Sequence, residues 1–295
     1  MQFFNIRDIE NLTGIKAHTL RTWEKRYGIL MPLNTPGKHR MYDNNDLKQI
    51  LRISTLYHSG YKISKIALMS QDEMAINTLH LEKKTNFEVF INRFIEFTVD
   101  MDEEEFKKLF SELREAIDEK DLFSHIIFPL LYRIGNLWMI GNLLPVQEHF
   151  ASNLIRSILI KSIDGINYKT VSKRKKVLLF CPENEHHELP LLFLQFIFKQ
   201  QGTQVIYLGP NTKLETLAYT IEKLQPTHAF AYLITNFAEL DITVYIKTLS
   251  RITQNCKLFC GGPGFKEANE IPAKTTVFKN FETLIKTADT IGREN

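Results

Sequence analysis

The sequence predicts a multidomain chain, α in its first part and α/β in its last. Three patterns carry that reading. Residues 5–42 read as helix, tight turn, helix, and then a short loop with Gly37, Lys38, His39, Arg40 and Tyr42. Residues 86–163 hold four helical runs whose apolar side chains recur at spacings of three and four. From Val177 onward, short apolar runs of strand type alternate with helical stretches, the mark of right-handed βαβ units and a parallel sheet. The expected architecture is a winged helix-turn-helix over residues 1–72 and a four-helix bundle over 73–168. A basic linker over 169–176 then leads to a Rossmann-like, doubly wound parallel sheet over 177–295.

In the first helix Ile6, Ile9 and Leu12 mark one face, and Thr13-Gly14 breaks it. Leu20, Trp23 and Tyr27 mark the inner face of a second helix, expected over Ile15–Arg26. Two short amphipathic helices around a Gly-containing turn make a helix-turn-helix. Between the apolar positions of the second helix lie Lys16, His18, Thr19, Arg21, Lys25 and Arg26, donors suited to phosphates and base edges. A third helix is expected over Leu47–Tyr57, and Ser59-Gly60-Tyr61 turns the chain into Ile63–Leu68. A connecting helix falls within 71–85.

The bundle helices follow. Asn86–Val99 carries Phe87, Phe90, Phe94 and Phe97, and Asp102–Ile117 has the acidic first turn that a helix dipole favours. Leu122–Ile140 contains Pro129, which kinks it or marks a start; Pro145–Ile163 has its Pro at an acceptable first-turn position. The basic run Lys169–Lys176 lacks apolar periodicity and reads as an interdomain linker. Strands are expected at Val177–Cys181, Gln204–Leu208, His228–Ile234, Lys257–Cys260 and Thr275–Phe278. Helices fall over Leu191–Gln200, Leu214–Leu224, Glu239–Ser250 and from Phe281 onward. Ligands of such sheets sit beyond the carboxyl ends of the strands.

Hydrophobic residues at 44% and charged residues at 24% give an ordinary globular balance and exclude a disordered chain. No apolar run approaches the ~20 residues of a membrane helix. MQFFNIRDIE lacks the basic start and apolar core of a signal peptide, so a cytoplasmic location with no membrane partner is expected. The net charge of +3 hides an asymmetry: residues 1–70 hold eleven Lys or Arg against five Asp or Glu, a net of +6. That excess lies in the helix-turn-helix and points to a nucleic-acid partner. Cys181, Cys256 and Cys260 form no zinc pattern and read as buried, reduced thiols.

The run GIKAHTLRTWEKRYGILMP, followed by GKHRMY, resembles the winged-helix DNA-binding domain of the MerR family of transcriptional regulators. Thr13, Gly14, Ile15, Leu20, Arg21, Trp23, Glu24, Arg26, Tyr27, Gly28, Pro32, Gly37, Arg40 and Tyr42 meet its pattern. The likeness extends to about residue 70 through Asp46-Leu47 and Ser59-Gly60-Tyr61. It implies that the second helix enters the major groove of a palindromic, double-stranded operator while the wing touches the backbone or minor groove. Arg21, Lys25, Arg26 and Arg40 are then phosphate contacts, and Lys16, His18 and Thr19 face base edges. Trp23, Tyr27, Lys38, His39 and Tyr42 complete the candidate DNA-binding set.

Two further constellations stand out: Trp138 with Glu148-His149 after nine intervening residues, and Glu185-His186-His187-Glu188-Leu189-Pro190 after the first strand of the α/β part. Together they resemble the cobalamin-sensing branch of the MerR family, the CarH and LitR type of photoreceptor repressor, over essentially the whole chain. The resemblance implies that Trp138, Glu148 and His149 cover the upper face of the corrin. His187 is then the metal ligand, below the cobalt, and Glu185 orients its ring. Gly261-Gly262 lets the backbone approach the nucleotide tail. Three positions depart from the pattern. Pro190 replaces a Gly; Ala231-Tyr232-Leu233 replaces Ser-x-Leu, so Ala231 lacks a hydroxyl while Leu233 is kept; and Met139 stands where some light-sensing members have a His.

The resemblance further implies adenosylcobalamin as cofactor and a homo-oligomer, dimer or tetramer, whose state the cofactor changes. RNA polymerase is a further implied partner. Two alternatives stay open. One is a MerR-type regulator whose degenerate effector half binds another ligand or a protein partner. The other is a cobalamin-carrier module of a methyltransferase, against which the DNA-binding head argues. Gly261-Gly262-Pro263-Gly264 lacks the Lys and Ser/Thr of a P-loop, and no Ser-His-Asp or Cys-His arrangement has supporting context, so no enzyme is expected.

Overall fold

A computed structural model of the protein describes residues 3–30, 33–34, 40–80, 87–167, 172–235 and 241–293. The chain divides into two compact units, Met1–Ile155 and Arg156–Asn295. No described helix is long and apolar enough to cross a membrane.

The first unit opens on a small antiparallel sheet of order β1-β3-β2, from β1 (Phe4–Asn5), β2 (Leu33–Asn34) and β3 (Arg40–Tyr42). The helix-turn-helix is α1 (Ile6–Thr13) and α2 (Ala17–Tyr27). Its turn is specified locally. Asn5 and Asp8 form a reciprocal capping box that starts α1. Gly14 ends the helix in the left-handed region, at φ +69°, with its N–H on the Glu10 carbonyl. The Thr13 hydroxyl donates to the Ile9 carbonyl and accepts the Ile15 N–H. The Glu10 carboxylate then accepts the Ala17 N–H and so caps α2. A third helix, α3 (Asn44–His58), begins in a second capping box between Asp43 and Asp46. It closes the head's core, with Leu47, Ile50 and Leu51 buried alongside Phe4, Ile9, Leu20 and Trp23. Short α4 (Ile63–Ile66) and α5 (Gln71–His80) follow.

The bundle comprises α6 (Phe87–Asp100), α7 (Glu103–Ala116), α8 (Glu119–Leu122), α9 (Phe128–Met139) and α10 (Pro145–Asp164). The run expected as one helix over Leu122–Ile140 begins earlier, at Glu119, and contains a π turn at Phe123–Ile127. There the Phe128 N–H reaches back five residues to the Phe123 carbonyl. Pro129 follows at once. The wide turn makes room for a residue that has no N–H to give and whose ring would clash in a regular helix.

Head and bundle are joined along α3 and α6. Arg52 donates through Nε and Nη2 to Glu96 Oε2, at 3.2 and 3.1 Å. Asn92 donates to the Thr55 hydroxyl and accepts from Arg133. Lys48 pairs with Asp100 at 2.5 Å.

The second unit holds β4 (Ser172–Pro182), α11 (Leu189–Gln200), β5 (Thr203–Thr212), α12 (Leu214–Leu224) and β6 (His228–Tyr232). It continues through α13 (Ile242–Ile252), β7 (Lys257–Gly261), β8 (Thr275–Val277) and α14 (Phe281–Arg293). The five strands are parallel, in the order β5-β4-β6-β7-β8. Both faces are buried. Leu178, Phe180, Ala231 and Cys260 point to one apolar layer, and Val177, Leu179, Cys181 and Phe230 to the other. The strands therefore read as unbroken apolar runs rather than alternating ones.

The basic linker expected over 169–176 is only partly that. Lys169, Thr170 and Val171 lie outside the described residues, and Ser172–Lys176 belong to β4, with Ser172 opposite Thr203 and Lys176 opposite Gln204. The cations cap helices: Lys175 Nζ donates to the Ile291 carbonyl of α14 at 2.9 Å, and Lys176 Nζ to the Leu224 carbonyl of α12 at 3.1 Å. Strand β6 ends at Tyr232 rather than Ile234. Helix α13 is capped by the Asp241 side chain on the Val244 N–H, and Glu239, where it was expected to begin, lies outside the described residues.

Candidate functional site

Helix α2 presents one cationic face. His18, Arg21 and Lys25 recur at helical spacing and are exposed, with Lys16 and Arg26 exposed beside them and Thr19 half-buried. Arg21, Thr22, Lys25 and Arg26 line a shallow concavity on this face. Lys16 is ion-paired with Glu10 at 3.0 Å. The Arg26 guanidinium lies 5.5 Å above the Tyr27 ring.

Trp23 and Tyr42, placed among the candidate contacts, are buried and do not reach this face. Trp23 meets Tyr57 of α3 edge-on at 4.7 Å. The Tyr42 hydroxyl donates to Glu24 Oε1, and Arg40 Nε donates to Glu24 Oε2 at 2.9 Å. Glu24 therefore ties the base of the wing strand β3 to the helix that carries the cationic face. Glu24 belongs to the sequence motif, whose spacing alone shows no such link. Gly37, Lys38 and His39 lie outside the described residues.

In the bundle, Trp138 stands at the end of α9 and is 46% exposed. A bundle tryptophan usually belongs to the core; this one does not. Met139, Ile140, Leu144 and Val146 are exposed beside it in sequence. Glu148 and His149 lie in the first two turns of α10, with His149 Nδ1 and Glu148 Oε2 2.6 Å apart.

The second unit builds its site where strand order reverses. β4 connects outward to β5, and the chain then returns to β6 on the other side of β4. Such a switch point leaves a crevice at the carboxyl ends of the two strands, where doubly wound sheets take their ligands. Glu185, in the loop after β4, is fully buried there. Its Oε1 accepts the backbone N–H of His187 at 2.8 Å and lies 2.6 Å from His187 Nδ1. Its Oε2 accepts the N–H groups of Ile234 and Thr235, just past β6, at 2.6 and 3.0 Å. Burial alone would push this carboxyl up. The His187 side chain, then the Thr235 and His187 N–H groups, outweigh it and hold the pKa at about 2.

A carboxylate that acidic fixes the neighbouring imidazole. An ionised carboxylate only accepts, so His187 Nδ1 is the donor to Glu185, and the neutral form of the ring has its lone pair on Nε2. The His187 side chain is 48% exposed, so the ring stands at the surface while its anchor is buried. Glu188, capping α11, accepts from Tyr207 Oη at 2.6 Å and from Arg156 Nε at 2.5 Å. Pro190 sits in the first turn of α11, where its missing N–H is not needed.

Ala231 and Leu233 are buried in the sheet's core. Gly261 and Gly262 follow β7, and both are required by the fold itself. Gly262 has φ +99°, and a Cβ there would lie 2.2 Å from the Leu233 carbonyl oxygen; one at Gly261 would lie 2.7 Å from Leu284 Cδ2. At the same end of the sheet the Tyr245 hydroxyl and Thr235 Oγ1 are buried without a hydrogen-bond partner among the described residues. Neither was singled out by the sequence, where each is an ordinary member of its segment.

Residues 4–73 match the MerR helix-turn-helix regulatory protein family, and residues 91–160 match the B12 binding domain. The chain carries a MerR helix-turn-helix domain and a B12-binding domain. It is homologous to two transcriptional repressors of Myxococcus xanthus. CarH is 26% identical over 230 residues, 76% of each chain, and CarA is 26% identical over 264 residues, 89% of this chain and 87% of the relative. Among solved structures, the monomethylamine corrinoid protein of Methanosarcina barkeri aligns at a TM-score of 0.55 with 14% identity. It covers 68% of this chain and 96% of that one, a likeness of fold. The MerR match spans α1 to the first residues of α5 and so includes the cationic face. The B12-binding match spans Trp138, Glu148 and His149.

Proposed function

We propose that this chain is a DNA-binding transcriptional regulator that senses cobalamin. The observation that carries the sensing half is the Glu185–His187 pair: an imidazole whose tautomer is set by a buried carboxylate, at the switch point of a parallel sheet. That donor set fits cobalt, for which a neutral imidazole is a good ligand. When bound, cobalamin would supply a cobalt centre able to exchange ligands. His187 is the residue to hold it from the sheet side, with Glu185 as its positioning residue. Trp138, Glu148 and His149 are the bundle's contribution, and the apolar surface around Trp138 suits a broad, flat corrin. The fit is weaker at Ala231, Leu233, Gly261 and Gly262, which the fold already occupies.

The output half acts through α2. Arg21, Lys25 and Arg26 meet phosphates; Lys16, His18 and Thr19 face base edges; Arg40 and the wing contact the backbone. The functional parts are the head over 1–72, the bundle over 73–168 and the sheet domain from 177 onward. The finer reading is of a cytoplasmic homo-oligomer, dimer or tetramer, on a palindromic operator. Adenosylcobalamin is the effector form, and RNA polymerase is the machinery whose access is controlled. The homology with CarH and CarA, named as repressors, supports a regulator rather than an enzyme.

The test is a visible absorption spectrum of the purified protein after incubation with cobalamin and removal of free ligand. Wild type retains a corrinoid with a histidine-ligated spectrum, and His187→Ala loses that signature. Retention of the signature in His187→Ala would exclude the assignment of His187.

A further inference from the structure

Gln147 is the third residue of α10, directly before Glu148-His149. It is 4% exposed, and both ends of its amide are used. Oε1 accepts the Leu144 N–H at 3.0 Å, which closes the first turn of α10 on the loop that leads from Trp138. A glutamine at this position of a helix commonly makes that bond. Nε2 donates to the Val99 carbonyl of α6 at 2.7 Å, forty-eight residues away. That carbonyl belongs to the last turn of α6, where the helix offers it no partner of its own. Capping α10 does not require this second bond. A hydrocarbon side chain would fill the site without the cost of burying an amide, so glutamine here ties the loop to one carbonyl of α6.

The neighbours of Val99 bind the head. Asp100 pairs with Lys48, and Glu96, one turn earlier, pairs with Arg52, both of α3. Helix α3 in turn holds the helix-turn-helix. Ser54 Oγ and His58 Nε2 donate to the Thr13 carbonyl in the turn, at 3.1 and 3.0 Å, and Tyr57 packs on Trp23 of α2. Contacts thus run without a gap from the loop between Trp138 and Glu148, through α6 and α3, to the helix with the cationic face, all within the first unit. This argument rests on the cobalamin reading, in which Trp138, Glu148 and His149 meet the corrin. We infer that Gln147 is the positioning residue through which that contact reaches the head. When Trp138 and Glu148-His149 take up a corrin, their loop shifts and Gln147 carries the shift to the end of α6. Lys48 and Arg52 then pass it to α3 and the helix-turn-helix. Packed interiors are stiff and transmit such a displacement rather than absorb it.

The experiment measures operator affinity by fluorescence anisotropy, with and without saturating cobalamin, in wild type and in Gln147→Met, which keeps the length and loses both bonds. The quantity read is the ratio of the two affinities. Wild type gives a ratio of at least about fivefold. One neutral hydrogen bond corresponds to about five- to tenfold in an equilibrium, so Gln147→Met brings the ratio below about twofold. Its operator affinity without cobalamin stays close to wild type, and the bound corrinoid keeps its histidine-ligated spectrum at saturation. A residue that only stabilises the fold lowers both affinities and leaves their ratio alone; that result, or a wild-type ratio in the variant, overturns the inference alone. If Gln147→Met does not fold, Asp100→Asn carries the test, because its side chain is half exposed and the change breaks the pair with Lys48. There the ratio falls by about twofold or more, and an unchanged ratio overturns the inference. Wild type that takes up no cobalamin, or takes it up at constant operator affinity, overturns the proposed sensing together with it.

Discussion

Replacing Arg52 by alanine isolates the seam between the head and the bundle. Glu96 is 9% exposed, and both hydrogen bonds from Arg52 fall on one of its oxygens. Burial raises the Glu96 pKa above its ordinary 4.5, and Arg52, then Lys48 and Arg93, oppose that without cancelling it. A raised carboxyl is a stabilising proton site at low pH; that contribution is lost as pH rises through the folded value. Removing one partner of a buried pair costs about 3–5 kcal/mol if the other charge stays in place. Here the charge has an escape. Taking a proton at pH 7 from the ordinary value of 4.5 costs about 1.36 × 2.5, or about 3.4 kcal/mol, which caps the penalty. Because the Arg52 side chain is itself 26% exposed, about 2–3 kcal/mol is expected at pH 7. At pH 5 the same cap falls to about 0.7 kcal/mol, so the defect shrinks below about 1 kcal/mol. Glu96→Gln removes the charge and keeps an acceptor for Arg52, and costs under about 1 kcal/mol at pH 7. The assay is urea unfolding at the two pH values followed by tryptophan fluorescence, since Trp23 and Trp138 both lie in the first unit. An Arg52→Ala defect of equal size at both pH values would refute the reasoning, as would a Glu96→Gln defect as large as that of Arg52→Ala.

Three other predictions follow from the same geometry. Arg21→Ala or Lys25→Ala lowers operator affinity and makes its dependence on salt shallower by about one unit of slope, measured by fluorescence anisotropy across a salt series. Gly262→Ala costs more than about 3 kcal/mol, because the new Cβ meets the Leu233 carbonyl at a positive φ; a thermal melt of the variant reads this directly. Trp138→Ala leaves stability within about 1 kcal/mol of wild type, since the ring is half exposed, yet weakens corrinoid uptake in dialysis.

The head was readable because its signals are local. The Thr13-Gly14 turn, the two capping boxes and the spacing of Leu20, Trp23 and Tyr27 act within a few residues of one another. What the motif residues do was less visible. Trp23 and Tyr42 look like contacts in the motif, but both are buried, and Glu24 binds Arg40 and Tyr42 across sixteen and eighteen residues, a link that exists only in the folded head. In the bundle, phenylalanine spacing set out the helices. The π turn before Pro129 has no sequence signature beyond the proline itself. The basic run before Val177 misled for a physical reason: charge marks solvent contact at the tip of a side chain and says nothing of the backbone. Lys175 and Lys176 lie in strand β4 while their amines reach helix carbonyls. At the switch point, Glu185 and His187 were legible as a pair two residues apart. The N–H groups of Ile234 and Thr235 that hold the other carboxylate oxygen come from the loop past β6, forty-nine and fifty residues away.

The central claim is that one chain couples a cobalamin site to a DNA-binding face. Its most direct test is the affinity for an operator duplex, selected by the protein from a randomised pool, measured by anisotropy while cobalamin is titrated and the visible spectrum is followed in the same cuvette. The account predicts that operator affinity changes by at least about fivefold, the lower range of allosteric coupling, and half-completes at the cobalamin concentration that half-completes the spectral change. A corrinoid spectrum that saturates while operator affinity stays constant would contradict it.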